Sequence, residues 1–142
     1  MKGRGKREGG RVTAGYSQRP LVDKLGIKPD AKIAILNAPR GYARTLGKLP
    51  RRASAGARLD FVQFFTREKR ELERRFAALE RGLAPAGMLW ISWPKQASGV
   101  ATDLTEDVIR AIGLAHGLVD VKVAAVDDVW SGLKFVRRVR DR

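Results

Sequence analysis

Apolar residues run together at three places along the chain: KIAILNAP from residue 32, LDFVQFF from residue 59 and GMLWISWPK from residue 87. Short unbroken runs of this kind suit strands in a sheet covered on both faces. Between the second and third runs the period changes. Leu72, Phe76, Leu79 and Leu83 recur at i, i+4, i+7 and i+11, which is one buried helical face, with Arg and Glu between them on the wet side. Thr66 is placed to cap this helix, Pro85 to end it, and Gly87 to open the third strand. Further on, Asp103 with Glu106 three positions later marks another helix start. Its apolar face reads Leu104, Val108, Ala111, Ile112 and Ala115, and Gly117 stops it.

Shorter elements flank these. In YSQRPLVDKLG, Ser17 can cap a short helix whose apolar side is Leu21, Val22 and Leu25, with Gly26 ending it. GYARTL reads as a second short helix, closed by Gly47. VDVKVAAV and LKFVRRV are two late strands linked by Asp127 to Gly132, too short a link for a crossover helix, so they pair antiparallel or flank one another. This alternation predicts an α/β protein of three layers: a mostly parallel, Rossmann-like sheet with a C-terminal antiparallel strand pair. It resembles a reduced form of the Rossmann-like methyltransferase arrangement. ALERGLAPAGMLWIS also resembles the leucine-rich helix, Pro-Gly-Gly turn and strand of those enzymes.

Charge changes the picture at the amino-terminal end. The chain of 142 residues carries a net charge of +14, with six Lys and Arg against one Glu in residues 1–20 and seven against one Asp in residues 31–60. Residues 101–142 balance. MKGRGKREGGRVTAG has almost nothing to bury, so residues 1–15 are expected to be a disordered basic tail and 16–142 a single domain. Lys2, Arg4, Lys6, Arg7 and Arg11 in the tail, with Arg51, Arg52 and Arg58 in a basic loop, form a nucleic-acid candidate through counterion release. No apolar run approaches the roughly 18 residues of a membrane span, and no secretory leader is evident. Cysteine is absent. A cytoplasmic protein is expected.

The chemistry is sparser. A nucleotide or S-adenosylmethionine site in such a fold needs close backbone approach after the first strand, usually through glycines, and an acidic residue downstream for the ribose hydroxyls. Here the first strand runs into Asn37-Ala38-Pro39-Arg40-Gly41-Tyr42, with no Gly-x-Gly and no acidic residue between Lys32 and Asp60. His116 reads as a helix-end histidine and Asp127-Asp128 as a turn, so no catalytic constellation, metal site or cofactor is expected. What remains are residues at the carboxyl ends of the strands, where open α/β sheets bind ligands. These are Asn37, Arg40, Gly41 and Tyr42 after the first, Thr66 and Arg67 after the second, and Ser92, Trp93, Pro94 and Lys95 after the third. Their donors, cations and rings suit a small anionic or nucleotide-like ligand. Trp130 is expected to cover the core.

Several blocks together resemble a known family. They are Tyr16-Ser17-x-x-Pro20-Leu21, Lys24-Leu25-Gly26-Ile27, Asn37-Ala38-Pro39-x-Gly41-Tyr42, Ser92-Trp93-Pro94-Lys95, Asp103-Leu104-Thr105-Glu106 and Trp130-Ser131-Gly132-Leu133-Lys134-Phe135. They resemble the short bacterial proteins grouped as domain of unknown function 3052. The resemblance spans residues 16 to 136, departs from the family at Gln18-Arg19 and Ala86, and implies a small cytoplasmic bacterial protein without bringing an activity. The resulting expectation is a non-catalytic ligand-binding or regulatory module on a degenerate methyltransferase-like fold. The alternatives are a divergent S-adenosylmethionine-dependent transferase and a nucleic-acid accessory protein acting through its basic tail.

Overall fold

The computed structural model describes residues 19–47, 49–50 and 56–142. In chain order the elements are α1 (Leu21–Leu25), β1 (Ile33–Leu36), α2 (Tyr42–Leu46), β2 (Leu59–Phe65), α3 (Lys69–Arg81), β3 (Leu83–Pro94), α4 (Glu106–Ala115), β4 (Leu118–Ala125) and β5 (Trp130–Arg137). Short 3-10 turns follow β3 and β5. The five strands make one sheet in the spatial order β1-β2-β3-β5-β4. β1, β2 and β3 run parallel, and β5 is antiparallel to both of its neighbours. The expected strand pair therefore exists, with its second member inserted next to β3.

The sheet separates two apolar layers. On one face Leu72, Phe76 and Leu79 of α3 and Ile109 and Ile112 of α4 pack on Val62, Phe64, Leu89, Ile91, Leu133 and Phe135. On the other, Leu25 of α1 and Tyr42 and Leu46 of α2 pack on Ile33, Ile35, Phe61, Phe65 and Trp90. Burying each of the larger side chains contributes about 1.5–3 kcal/mol, so the helical stripe read from α3 anchors that helix. Trp90 is wholly buried, and its indole N–H donates to the Leu25 carbonyl at 2.9 Å, which satisfies its one polar atom.

Several boundaries differ from the sequence reading. β1 is an edge strand, and its burial alternates because only Ile33 and Ile35 face the α1–α2 layer. β3 begins at Leu83, before Pro85. Leu59 pairs with Leu83 but Phe61 with Met88, so the residues between bulge outward and Pro85 sits exposed in the bulge. A Cβ on Gly87 would lie 2.5 Å from the Leu59 carbonyl oxygen, an approach only glycine allows. Arg58 and Arg137 both donate to the Leu83 carbonyl and brace the same bulge.

The buried face of α4 is Ile109, Ile112 and Gly113, while Ala111 and Ala115 are exposed. Gly113 lies against the Phe135 ring so closely that a Cβ would stand 2.1 Å from it, and the helix turns that side to the sheet. Trp130, Ser131 and Gly132 belong to β5 rather than to the link before it. Trp130 is half-buried and meets Phe65 edge-on at 5.1 Å, in keeping with a core-covering role.

Candidate functional site

The carboxyl ends of β1 and β2 are tied together by one carboxylate. After β1, Asn37 adopts a left-handed conformation (φ 59°), which asparagine tolerates, and the turn runs through Gly41 (φ 84°) into α2. After β2, the buried Thr66 donates its backbone N–H to the Ser92 carbonyl at 3.0 Å. Its hydroxyl donates to the Glu71 carboxylate at 2.5 Å and accepts the Glu68 N–H at 3.2 Å. The Asn37 amide reaches the other Glu71 oxygen at 3.4 Å. Glu71 lies in the first turn of α3, where the helix dipole favours a negative charge.

Thr66 does not cap α3, as the sequence had suggested. The cap comes from across the edge: the Asp103 carboxylate accepts the Lys69 N–H at 2.8 Å. The Thr102 hydroxyl donates to the Arg67 carbonyl at 2.7 Å and fastens the same crossing. Asp103 therefore serves α3 and not its own helix. α4 is capped by Thr105, whose hydroxyl accepts the Val108 N–H at 3.2 Å.

Beneath this edge lies a buried polar chain. The Tyr42 hydroxyl donates to the Gln63 side-chain oxygen at 2.7 Å, and the Gln63 amide donates to the Ser92 hydroxyl at 3.0 Å. Relative exposures are 3% for Tyr42 and 0% for Gln63 and Ser92, so none of the three offers a polar atom to a ligand. Burial pushes the Tyr42 hydroxyl pKa up, with the Gln63 bond working against it and the Asp127 charge with it.

The carboxyl-edge candidates consequently divide. Asn37, Arg40 and Gly41 sit together on the turn after β1 and are exposed. Tyr42 and Ser92 are structural. Trp93 is buried in the α3–α4 layer and lines a cleft of about 470 Å³ with Gln96, Thr102, Thr105 and Glu106. Lys95 lines a different cleft, of about 550 Å³, with Arg19, Lys24 and Lys122. The end of β3 does not lie beside the end of β1, because β2 runs between them. Trp93 and Lys95 line clefts whose described lining does not include Asn37, Arg40 or Gly41.

Among the remaining candidates, Lys2, Arg4, Lys6, Arg7, Arg11, Arg51 and Arg52, and the expected tail over 1–15, lie outside the described residues. The His116 ring lies 4.7 Å from that of Phe76, with Nδ1 3.0 Å from the Ile112 carbonyl oxygen. The Asp127 carboxylate accepts the Val129 and Trp130 N–H groups, which makes it a turn residue. Two residues of the edge were missed. Gln63 is the one uncharged polar residue of LDFVQFF, and a polar residue inside an apolar run signals a buried partner. Glu71 carried no such signal, since its place depends on where α3 begins.

No protein-family model matches the chain, and no curated protein does, so the resemblance to the bacterial family rests on its sequence blocks alone. Solved structures do match. One is a SAM-dependent methyltransferase from Aquifex aeolicus, with TM-score 0.59 and 12% identity over 81% of this chain and 86% of that one. Another is magnesium protoporphyrin IX methyltransferase from Synechocystis PCC 6803 with bound SAM, with TM-score 0.57 and 14% identity over 83% and 74%. A third is the fibrillarin pre-rRNA processing protein of Methanococcus jannaschii, with TM-score 0.50 and 11% identity over 85% and 70%. At this identity the likeness is one of fold, and the fold is the Rossmann-like methyltransferase one. The expectation of a non-catalytic module is corrected by these matches, which favour the transferase alternative. Among the described residues no helix is long and apolar enough to cross a membrane.

Proposed function

We propose that the protein is a divergent S-adenosylmethionine-dependent transferase whose cofactor lies at the carboxyl ends of β1 and β2. The observation that carries this reading is the position of Glu71. A dinucleotide or S-adenosyl site in this kind of sheet needs a carboxylate for the ribose hydroxyls, and the stretch between Lys32 and Asp60 contains none. The first turn of α3 delivers one to that edge instead, fixed by Thr66 and Asn37.

The donor set fits the group. A carboxylate offers about four lone-pair sites, and Thr66 and Asn37 take up two, leaving acceptors for a diol. The Gly41 backbone supports the other requirement, close approach, since among the described residues nothing lies within 4 Å of where its Cβ would stand. Bound there, the cofactor would supply an electrophilic methyl group on sulfur. The chain's own part is binding and orientation: Glu71 accepts from the hydroxyls, Asn37 and Thr66 hold that carboxylate in one rotamer, and the turn through Gly41 leaves room beside the backbone. Arg40, exposed on that turn, adds a cation at the rim. The fold likeness to SAM-dependent methyltransferases supports the same choice of cofactor.

Isothermal titration with S-adenosylmethionine and S-adenosylhomocysteine tests the reading. Glu71→Ala is expected to weaken both at least tenfold while the far-ultraviolet spectrum stays unchanged, and Ser92→Ala to leave both intact. No heat with either ligand at millimolar concentration would overturn it.

A further inference from the structure

Arginines gather at the amino edge of the sheet, opposite the edge that carries the proposed cofactor site. Arg58 stands just before β2, Arg81 ends α3, Arg137 ends β5, and Arg138, Arg140 and Arg142 follow in the turn after it. β5 runs antiparallel to β3, so its end meets the start of β3. Two guanidiniums converge there on one acceptor. Arg58 donates to the Leu83 carbonyl through Nε at 3.1 Å and Nη2 at 2.8 Å, and Arg137 through Nη1 at 3.4 Å. Arg142 extends the row, its Nε donating to the Arg137 carbonyl at 3.0 Å.

Carboxylates offset little of this charge. Glu80 pairs with Arg137 at 2.7 Å, and among the described residues no ion pair involves Arg58, Arg81, Arg138, Arg140 or Arg142. Asp60, in β2, accepts the Lys32 N–H at 2.9 Å on the side of β1, and Asp141 lies in the turn itself. The carbonyls that hold Arg58 and Arg142 fix the plane of each guanidinium without cancelling its charge. A guanidinium carries more N–H donors than one carbonyl takes up, so both keep a fork for a ligand.

We infer that this edge binds a single strand of nucleic acid, with arginine forks on its phosphates and arginine planes against its bases. Extent favours a chain of anions over one anion. β2 and β5 flank β3, and neighbouring strands stand about 4.8 Å apart, so Arg58 and Arg137 spring from points roughly 10 Å apart, with the turn after β5 lengthening the row. Exposure favours a ligand lying on the surface, since Arg58, Arg81, Arg140 and Arg142 are all exposed. Side-chain type favours nucleic acid over an acidic peptide. The planar fork of arginine matches phosphate, and its face stacks on an unpaired base, whereas a chain of carboxylates would use the forks alone. Val139, 78% exposed between Arg138 and Arg140, adds apolar contact for a base or sugar. The inference is independent of the proposed cofactor site, which lies at the other end of the strands.

Fluorescence anisotropy with a labelled 20-nucleotide single-stranded RNA, from 50 to 250 mM NaCl, tests it on the full chain. Single strands lose roughly 0.7 of log-log slope per phosphate released, so the combined variant Arg58→Gln, Arg140→Gln, Arg142→Gln is expected to flatten the slope by about 2. Affinity at 50 mM NaCl should fall at least tenfold. A control with the same charge loss, Lys69→Gln, Arg70→Gln, Arg74→Gln on exposed positions of α3, should lose less than threefold. Equal losses in the two variants would reduce the effect to net charge and overturn the inference, as would absence of binding by the parent at 50 mM NaCl. Polyglutamate of 20 residues competing as well as unlabelled RNA would make the edge a docking site for an acidic protein and also overturn it. A duplex of the same sequence binding more tightly than the single strand would count against it in the same way. Should the triple variant fail to fold, Arg140→Glu alone, in the exposed turn, should weaken binding at least threefold, and affinity equal to the parent's would overturn the inference.

Discussion

Replacing Gln63 with leucine removes the middle of the Tyr42–Gln63–Ser92 chain while nearly preserving volume. Both outer hydroxyls then lose their partner inside the protein, where neither can reach water. Each orphaned buried group costs about 1–3 kcal/mol. The added apolar surface of leucine returns about 1 kcal/mol of this, so the net loss is about 1–5 kcal/mol. Urea unfolding followed by tryptophan fluorescence reads it directly, since Trp90 and Trp93 flank this layer in β3. With a slope of about 2 kcal/mol per molar for a chain of this size, the midpoint should fall by about 0.5–2.5 M. The decisive arm adds Tyr42→Phe and Ser92→Ala to the same chain. With all three polar groups gone, nothing is left orphaned, and stability should return to within about 1 kcal/mol of the parent. A single variant within 0.5 kcal/mol of the parent, or a triple variant no better than the single one, would refute the reasoning.

The capping of α3 from a distance gives a second expectation. Asp103→Ala should cost about 1 kcal/mol and Asp103→Asn less, read as melting temperatures. Amide exchange should quicken at Lys69 and leave Val108 protected, because Thr105 caps α4 by itself. Tyr42 gives a third, in alkali. Its pKa is raised on folding, so its neutral form stabilises the native state below the unfolded value near 10, and that stability is lost as the pH climbs through the folded value. Lys24 and Lys134, with lowered pKa values, act in the opposite sense, their destabilisation easing as pH rises. Unfolding free energies of the parent and Tyr42→Phe compared from pH 9 to 11.5 isolate the tyrosine: the parent should lose more stability, and parallel curves would refute the assignment.

The elements themselves were legible because their patterns are local. Leu72, Phe76 and Leu79 spell out α3, and LDFVQFF is β2 residue for residue. What failed needed a third dimension. Asp103 and Glu106 have the spacing of a helix start, but a carboxylate caps whichever N–H it reaches, and here that belongs to Lys69. Ala111 and Ala115 looked like core by hydropathy, whereas Gly113, with no side chain to score, is where α4 approaches Phe135. Position at the carboxyl edge singled out Ser92 and Tyr42, yet the Gln63 side chain between them turns both inward. Glu71 and the Arg19–Lys24–Lys95–Lys122 cleft were illegible for one reason: their members come from segments that only the sheet order brings together.

That sheet order also sets a timetable for synthesis. β5 is made after β4 but lies between β4 and β3, so β4 has no place in the sheet until β5 has emerged. The chain from Leu118 to Arg137 is about 20 residues, which at roughly 5–20 residues per second takes about one to four seconds. Throughout that interval β3 presents an open edge bearing Leu89, Trp90 and Ile91, all three wholly buried in the finished fold. The nascent chain is therefore most exposed to wrong pairing, and most in need of a chaperone, just before its sheet closes.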